Sequence, residues 1–216
     1  MNKVIYKQQF QALLKDGMSV FVGGFLTCGT PERLIDWVLE SGVKSLTIIC
    51  NDGGMPDKGV GRLIVNKQVK TLIASHVGTN PVAGQMMSEG TLDVKLVPQG
   101  TLVEQIRAHG AGLGGILTST GLHTIVEEGK QVIRVNDQDY LLELSMGADL
   151  ALIQAREADP LGNLTYAKTA RNFNPVMATA AKTVVAYADH HVADIDPEAV
   201  VTPHIFVDYL AKEEIA

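Results

Sequence analysis

The feature that most constrains this chain is an alternation of two kinds of segment. Apolar runs of strand length, at residues 18–22, 45–50, 69–74, 93–97, 150–153 and 183–186, alternate with amphipathic runs of helix length. Several of the short runs are rich in Val, Ile and Leu and lack polar alternation, as strands covered on both faces must be. Helices are expected at 31–40, 81–88, 102–108 and 175–181. Pro31, Pro81 and Pro175 stand where a first helical turn would open, a place that suits a fixed φ and needs no N–H. Strands alternating with helices imply an α/β fold: an open, mostly parallel, doubly wound sheet.

One stretch breaks the rhythm. Residues 124–128, 131–135 and 140–143 read as short β segments, with turn signals at Gly129-Lys130 and Asn136-Asp137. An inserted antiparallel hairpin or meander is expected there. No linker, repeat or low-complexity tract divides the 216 residues, so residues 1–216 are expected to form one domain.

The chain is 46% apolar, enough for a sizeable core, and its net charge of −6 argues against a broad nucleic-acid-binding face. Two cysteines, Cys28 and Cys50, cannot staple a chain of this length, which points to a reducing compartment. The first residues carry no signal-like apolar stretch, and no run approaches the length of a membrane span. A cytoplasmic protein with neither membrane nor nucleic acid as partner is expected.

Ligands of open α/β sheets bind beyond the carboxyl ends of the strands. The loop leaving the first buried strand is Gly23-Gly24-Phe25-Leu26-Thr27-Cys28-Gly29-Thr30-Pro31. Its glycines permit positive φ and close approach to the main chain. Free amides in such a loop, beside a helix start, suit a phosphate or an oxyanion. The same glycines would also serve tight strand–helix packing, and glycine content alone does not separate the two.

The longer string does more. Asp16-Gly17, two residues, Val20-Phe21-Val22, Gly23-Gly24-Phe25, then Gly29 and Pro31 resemble the first signature of the family I CoA-transferases. Four further strings resemble the alpha subunit of that family: Ala74-Ser75-His76-Val77-Gly78-Thr79-Asn80-Pro81, Val97-Pro98-Gln99-Gly100-Thr101-Leu102, Ala111-Gly112-Leu113-Gly114-Gly115, and Asp159-Pro160-Leu161-Gly162-Asn163-Leu164 followed by Ala170-Arg171-Asn172-Phe173-Asn174. The match is collinear and spans nearly the whole chain.

The resemblance implies the CoA-transferase fold and the movement of CoA between carboxylic acids through a glutamyl-CoA thioester, with CoA as substrate and no tightly bound cofactor. It implies that Gly24, Phe25, Leu26, Thr27, Cys28, Gly29 and Thr30 bind the CoA moiety, and that Gln99 supports catalysis. Asn51, which ends the second strand at a level comparable to Gln99, is equally suited to a supporting role or to turn structure. The family's glutamate lies in a Ser-Glu-Asn-Gly type string of the beta half, which is absent here. The expected partner is therefore a CoA-transferase beta subunit, in an alpha2-beta2 assembly acting on acyl-CoA and short carboxylic acids such as acetate, acetoacetate or butyrate.

Other polar residues read more plainly. Glu104, Glu127 and Glu128 fit helix or turn surfaces. Cys28 has no flanking His or Lys to lower its pKa and is expected only to line the loop. His76 is expected to position a loop, and His190-His191 to be exposed without metal-ligand spacing. Arg171 suits either a CoA phosphate or an internal ion pair. A sugar-phosphate isomerase or a ligand-sensing domain of the same fold type is the alternative reading, although no acid/base pair and no DNA-binding segment is found for either.

Overall fold

The computed structural model describes residues 3–214. The elements, in chain order, are β1 (Val4–Ile5), α1 (Lys7–Gln11), β2 (Ser19–Val22), α2 (Glu32–Ser41), β3 (Leu46–Cys50), α3 (Gly61–Val65), β4 (Val69–Ala74), α4 (Pro81–Ser88), β5 (Asp93–Leu96), α5 (Gln99–Gly110), β6 (Gly115–Thr118), β7 (Val132–Val135), β8 (Gln138–Leu144), β9 (Ala148–Ala158), β10 (Leu164–Thr165), α6 (Asn174–Ala178), β11 (Ala181–His191) and β12 (Tyr209–Ala211). Short 3-10 turns fill some of the connections.

The main sheet runs β1-β12-β11-β9-β2-β3-β4-β5, parallel throughout, with β10 added antiparallel to β9. Its two faces follow the period of two along each strand. Val20, Val22, Ile48, Cys50, Leu150, Leu152 and Val185 join one core with Leu34, Ile35, Trp37 and Val38 of α2. Phe21, Ile49, Ala151, Ile153, Val184 and Ala186 join the other, with Leu102 and Ile106 of α5 and Val176 and Met177 of α6. Burial of each large side chain contributes roughly 1.5–3 kcal/mol, so the two layers together hold the sheet. Helix α2 shows the local logic. Its apolar residues fall on one stripe, and Gly42 ends it at φ 72°, a left-handed cap that glycine adopts without steric cost.

The antiparallel insertion forms as a three-stranded sheet, β6-β8-β7. Asn136 and Asp137 turn it at φ 47° and 61°, the hairpin geometry that these two residue types tolerate. Residues 124–128, however, are not a strand. The Thr124 hydroxyl accepts from the Val126 amide and caps a 3-10 turn at Ile125–Glu127, a local bond that competes with strand pairing. The third strand is β6 instead. Two helix ends also differ from expectation. Helix α5 begins at Gln99, because Pro98 already sets the entry, and α6 stops at Ala178 so that Ala181 can open β11. Pro31 is the residue before α2 rather than its first turn.

Strand β2 lies between β3 and β9. From it the chain builds outward through β3, β4 and β5, then crosses to the other side for β9, β11 and β12. The sheet's topological switch point therefore lies beside the carboxyl end of β2, where the glycine-rich loop begins.

Candidate active site

The loop after β2 is held from three directions. Gly23 N–H continues the sheet by donating to the Leu152 carbonyl at 2.9 Å. Gly24 N–H donates to Asn172 Oδ1 at 3.1 Å, and Asn172 Nδ2 donates to the Cys28 and Thr169 carbonyls. Asn174, fully buried, accepts from the Gln154 amide and donates to the Gly29 and Ala170 carbonyls. Inside the loop, Phe25 and Cys28 exchange two backbone bonds, and the Thr30 hydroxyl donates to the Leu26 carbonyl.

Gly24 stands at φ 116°, and a Cβ there would fall on the Thr30 hydroxyl and within 3.0 Å of the Thr30 Cα. Its amide is already engaged by Asn172, so its part in the loop is conformational. The amides of Thr27 and Gly29 have no protein acceptor among the described residues. The buried Thr30 amide has none either, so the loop's open backbone donors are these three. Phe25, Thr27 and Cys28 are exposed, Leu26 and Gly29 half-buried, and Thr30 buried. Thr27, Gly29 and Thr30 line a cleft of ≈ 440 Å³ together with Gln154, Arg156 and Asp189.

Asn51 follows β3 directly and is buried. Its Oδ1 accepts from Gln99 Nε2 at 2.6 Å, and its Nδ2 donates to Asp52 Oδ2 at 2.7 Å. The same Asp52 oxygen accepts from the Leu26 amide at 2.7 Å, while Oδ1 accepts from the Gly54 amide at 2.9 Å. A continuous chain of bonds thus runs from Gln99 through Asn51 and Asp52 into the glycine loop. Leu26 needs that anchor, because it sits at φ 52°, an uncommon conformation for a side-chain-bearing residue.

The expected residues therefore converge on one end of the sheet. Asp52, Asn172 and Asn174 are the additional members. Asp52 announces itself only as an acidic residue before Gly53-Gly54, and nothing local in the sequence tells how far either asparagine reaches. The remaining groups fall into place as follows. Cys28 is exposed, with its thiol 3.4 Å from the Thr169 hydroxyl. The Cys50 thiol is buried, and burial pushes its pKa up. The His76 carbonyl accepts from the Gly53 amide, so that loop is tied through backbone. His190 and His191 are exposed at the end of β11; partial burial and Lys212 lower the pKa of His191. Arg171 is exposed and forms no ion pair among the described residues. Among the described residues no cluster of three or more His, Cys, Asp or Glu could hold a metal ion, and no helix is long and apolar enough to cross a membrane.

A family profile described as coenzyme A transferase matches residues 5–213. The chain belongs to the coenzyme A transferase family. It is 49% identical over 214 residues to the acetoacetyl-CoA:acetate/butyrate CoA transferase alpha subunit of Clostridium acetobutylicum, covering 98% of each chain. It is 50% identical over 211 residues to the acetate CoA-transferase subunit alpha of Escherichia coli, covering 97% of this chain and 96% of that one. Among solved structures, an acyl-CoA transferase from Escherichia coli O157:H7, in a thioester complex with CoA, superposes with a TM-score of 0.86 at 21% identity. That match covers 97% of this chain and 49% of the longer one, and it shows a shared fold. CoA-transferase membership displaces the isomerase and sensing-domain readings.

Proposed function

We propose that this chain is the alpha subunit of a heteromeric CoA-transferase that moves CoA between a short-chain acyl-CoA and a carboxylic acid. The reactive glutamate is supplied by the beta subunit. The observation that carries this reading is a prepared site without a nucleophile. Gln99, Asn51 and the glycine loop meet at the carboxyl ends of the strands, yet the one carboxylate among them, Asp52, is consumed by three donors. The relatives named as alpha subunits favour the same division of labour.

In the proposed cycle the partner's glutamate carboxylate attacks the thioester carbonyl and expels CoA as thiolate, leaving a mixed anhydride. The thiolate attacks the glutamyl carbonyl, the first acid departs as carboxylate, and a glutamyl-CoA thioester remains. A second carboxylate reverses these steps and leaves as acyl-CoA, so the kinetics are ping-pong. Each attack places negative charge on a carbonyl oxygen. The open amides of Thr27 and Gly29 supply donors for that charge or for a CoA phosphate, with Arg171 exposed next to Asn172, the residue that grips the loop. Gln99 keeps one amide hydrogen for the carboxylate of the acid substrate, since only one Nε2 hydrogen is spent on Asn51.

The test is co-expression with a candidate beta subunit, followed by exposure to acetyl-CoA without an acceptor acid and intact-mass analysis. A CoA adduct on the partner chain, released by added butyrate or acetoacetate, is expected, with an alpha2-beta2 mass in sedimentation. An adduct on this chain would overturn the assignment of the nucleophile.

A further inference from the structure

Strands β9 and β11 run on past the point where β2 ends. The last bond from the β2 side joins the Gly23 amide to the Leu152 carbonyl, whereas β9 and β11 stay paired out to Ala158 and His191. Along this overhang the strand face on the α2 side changes character. In β9 it reads Leu150 and Leu152, then Gln154 and Arg156; in β11 it reads Val185, then Tyr187 and Asp189. The apolar members belong to the core with α2, and the later ones line the cleft of ≈ 440 Å³ beside the glycine loop. The switch marks where the core stops and a hydrophilic cleft begins.

The charged groups of this lining are unequally engaged. Asp189 accepts from Gln154 Nε2 at 2.7 Å, and Glu32 and Asp36 accept from Arg62. Arg33 is held by Glu213 at 2.8 Å. Arg156 is different. Among the described residues its one carboxylate contact is with Glu157, at 4.0 Å. Glu157 is the next residue of β9, on the opposite strand face, and accepts from the Thr165 hydroxyl. A guanidinium left open in a cleft suits a bidentate hold on phosphate. The amides of Thr27 and Gly29, open donors of the same lining, favour an anion there as well.

Two further properties fit a nucleotide better than a bare anion. Tyr187 contributes an aromatic side chain to the lining, and Ala155, Ala167 and Ala170 contribute short walls that a flat ring can approach. The volume is also within the range of pockets for small organic ligands. Position is the second property. Asn51 follows β3, and the sheet order places β2 and β9 between β3 and β11, three strand spacings or roughly 14 Å. CoA carries its thiol at one end and its phosphates and adenine at the other. With its sulfur near Asn51, its far end must lie at a distance of this order, and the glycine loop leads from one place to the other.

We propose that this cleft receives the nucleotide end of CoA, and that Arg156 binds its phosphates. Arg156 then favours CoA thioesters over thioesters that lack the nucleotide. This inference rests on the CoA-transfer reading above and adds to it the place of the far end of CoA and the side chain that holds it.

The experiment uses the enzyme assembled with a beta subunit and compares two donors, acetyl-CoA and acetyl-pantetheine, which lacks the adenosine and every phosphate. Arg156 has a side chain 56% exposed, so its replacement leaves the core intact. Arg156→Gln is expected to lower kcat/KM for acetyl-CoA about tenfold, through KM, and to leave acetyl-pantetheine within about twofold. Arg156→Lys should recover part of the loss, and added salt should narrow the gap between parent and variant. If both donors fall together, or neither falls, the proposal is overturned. Ala167→Trp, which fills the cleft from the side of the 3-10 turn at Lys168–Arg171, gives a second reading. It should penalise acetyl-CoA and spare acetyl-pantetheine, and an unchanged ratio counts against the cleft. Exchange by the wild-type enzyme supports the CoA-transfer reading however the variants behave; its absence with every donor and acid defeats that reading and this one with it.

Discussion

The Gln99 side-chain amide donates to Asn51 Oδ1 at 2.6 Å, across 48 positions of sequence, and so locks the entry of α5 to the end of β3. Asn51 is in turn gripped by Asp52, which also holds the amides of Leu26 and Gly54. The glycine loop and the Gln99 pair are therefore one mechanical unit with Asp52 at its centre.

Asp52→Asn tests that unit. An amide offers one acceptor oxygen where the carboxylate offers two, so its NH2 must face either the Leu26 or the Gly54 N–H. A buried donor left opposite a donor costs about 1–3 kcal/mol. For a chain of this size that is roughly 2–12 °C in Tm. Thermal unfolding of the variant should show a drop in this range, with a larger proportional loss of turnover than of stability. An unchanged Tm would mean that the loop does not depend on Asp52.

Gly24→Val should lower turnover of the assembled enzyme by at least ~10², the usual effect of losing a well-aimed oxyanion donor. The cause is indirect. The new side chain would strike Thr30, break its bond to the Leu26 carbonyl and shift the open amides of Thr27 and Gly29. Steady-state kinetics on a variant that still assembles decides the matter, and near-normal turnover would leave the loop a packing turn. Gln99→Ala should be milder and raise KM for the acid, because Asp52 continues to hold Asn51.

Much of this arrangement is legible in the sequence. In the segments 69–74 and 45–50 four of six residues are apolar and no strict polar alternation runs through them, the pattern expected of strands covered on both faces in a parallel sheet. The hairpin turn at Asn136-Asp137 was equally plain, because few residue pairs accept two positive φ angles. Residues 124–128 misled because Ile125 and Val126 favour strands by type, while a single hydroxyl at Thr124 decides for a turn. Strand β6 begins at Gly115, directly after Gly114, and the two glycines hide its pairing with β8. The turn after β2 and the place of Gln99 beyond a strand end follow from local pattern. Asn172 and Asn174 could not, since each acts on a loop more than 140 positions away.

At the amino ends of three adjacent strands, Asp149 of β9 accepts from the amide and hydroxyl of Ser19 in β2 and from Lys182 of β11. The Lys182 bond first, and then the Ser19 bonds, hold its pKa at about 2, below the ordinary 3.8. A carboxyl whose folded pKa is depressed stabilises the fold fully above its unfolded pKa, and that contribution is lost as pH falls through the folded value. Stability from this contact is thus constant from neutral pH down to about pH 4 and fades between about 4 and 2. Urea midpoints at several acid pH values should show Asp149→Asn already weaker at neutral pH and shallower over this window. Parallel curves for variant and parent would refute the assignment.

The last expectation concerns the chain by itself. A nucleophilic carboxylate must be ionised, reachable and free to form a bond, and the acids around the site are already engaged. In the cleft beside the glycine loop, Asp189 accepts from Gln154 Nε2, Glu32 from the Gly59 amide and Arg62, and Asp36 from Arg62. Asp52 is buried under three donors. Glu104 lies along α5 in an ion pair with Arg107, Glu127 accepts from the His123 amide, and Glu143 is buried against Lys130 and Gln105. The purified chain, incubated with acetyl-CoA and butyrate, should therefore produce no butyryl-CoA and show no covalent CoA adduct in its intact mass. Adding a beta subunit that bears the glutamate string should restore exchange, and changing that glutamate to glutamine should abolish it while assembly persists. Robust exchange by the chain alone would require a nucleophile within it and would sink the subunit reading.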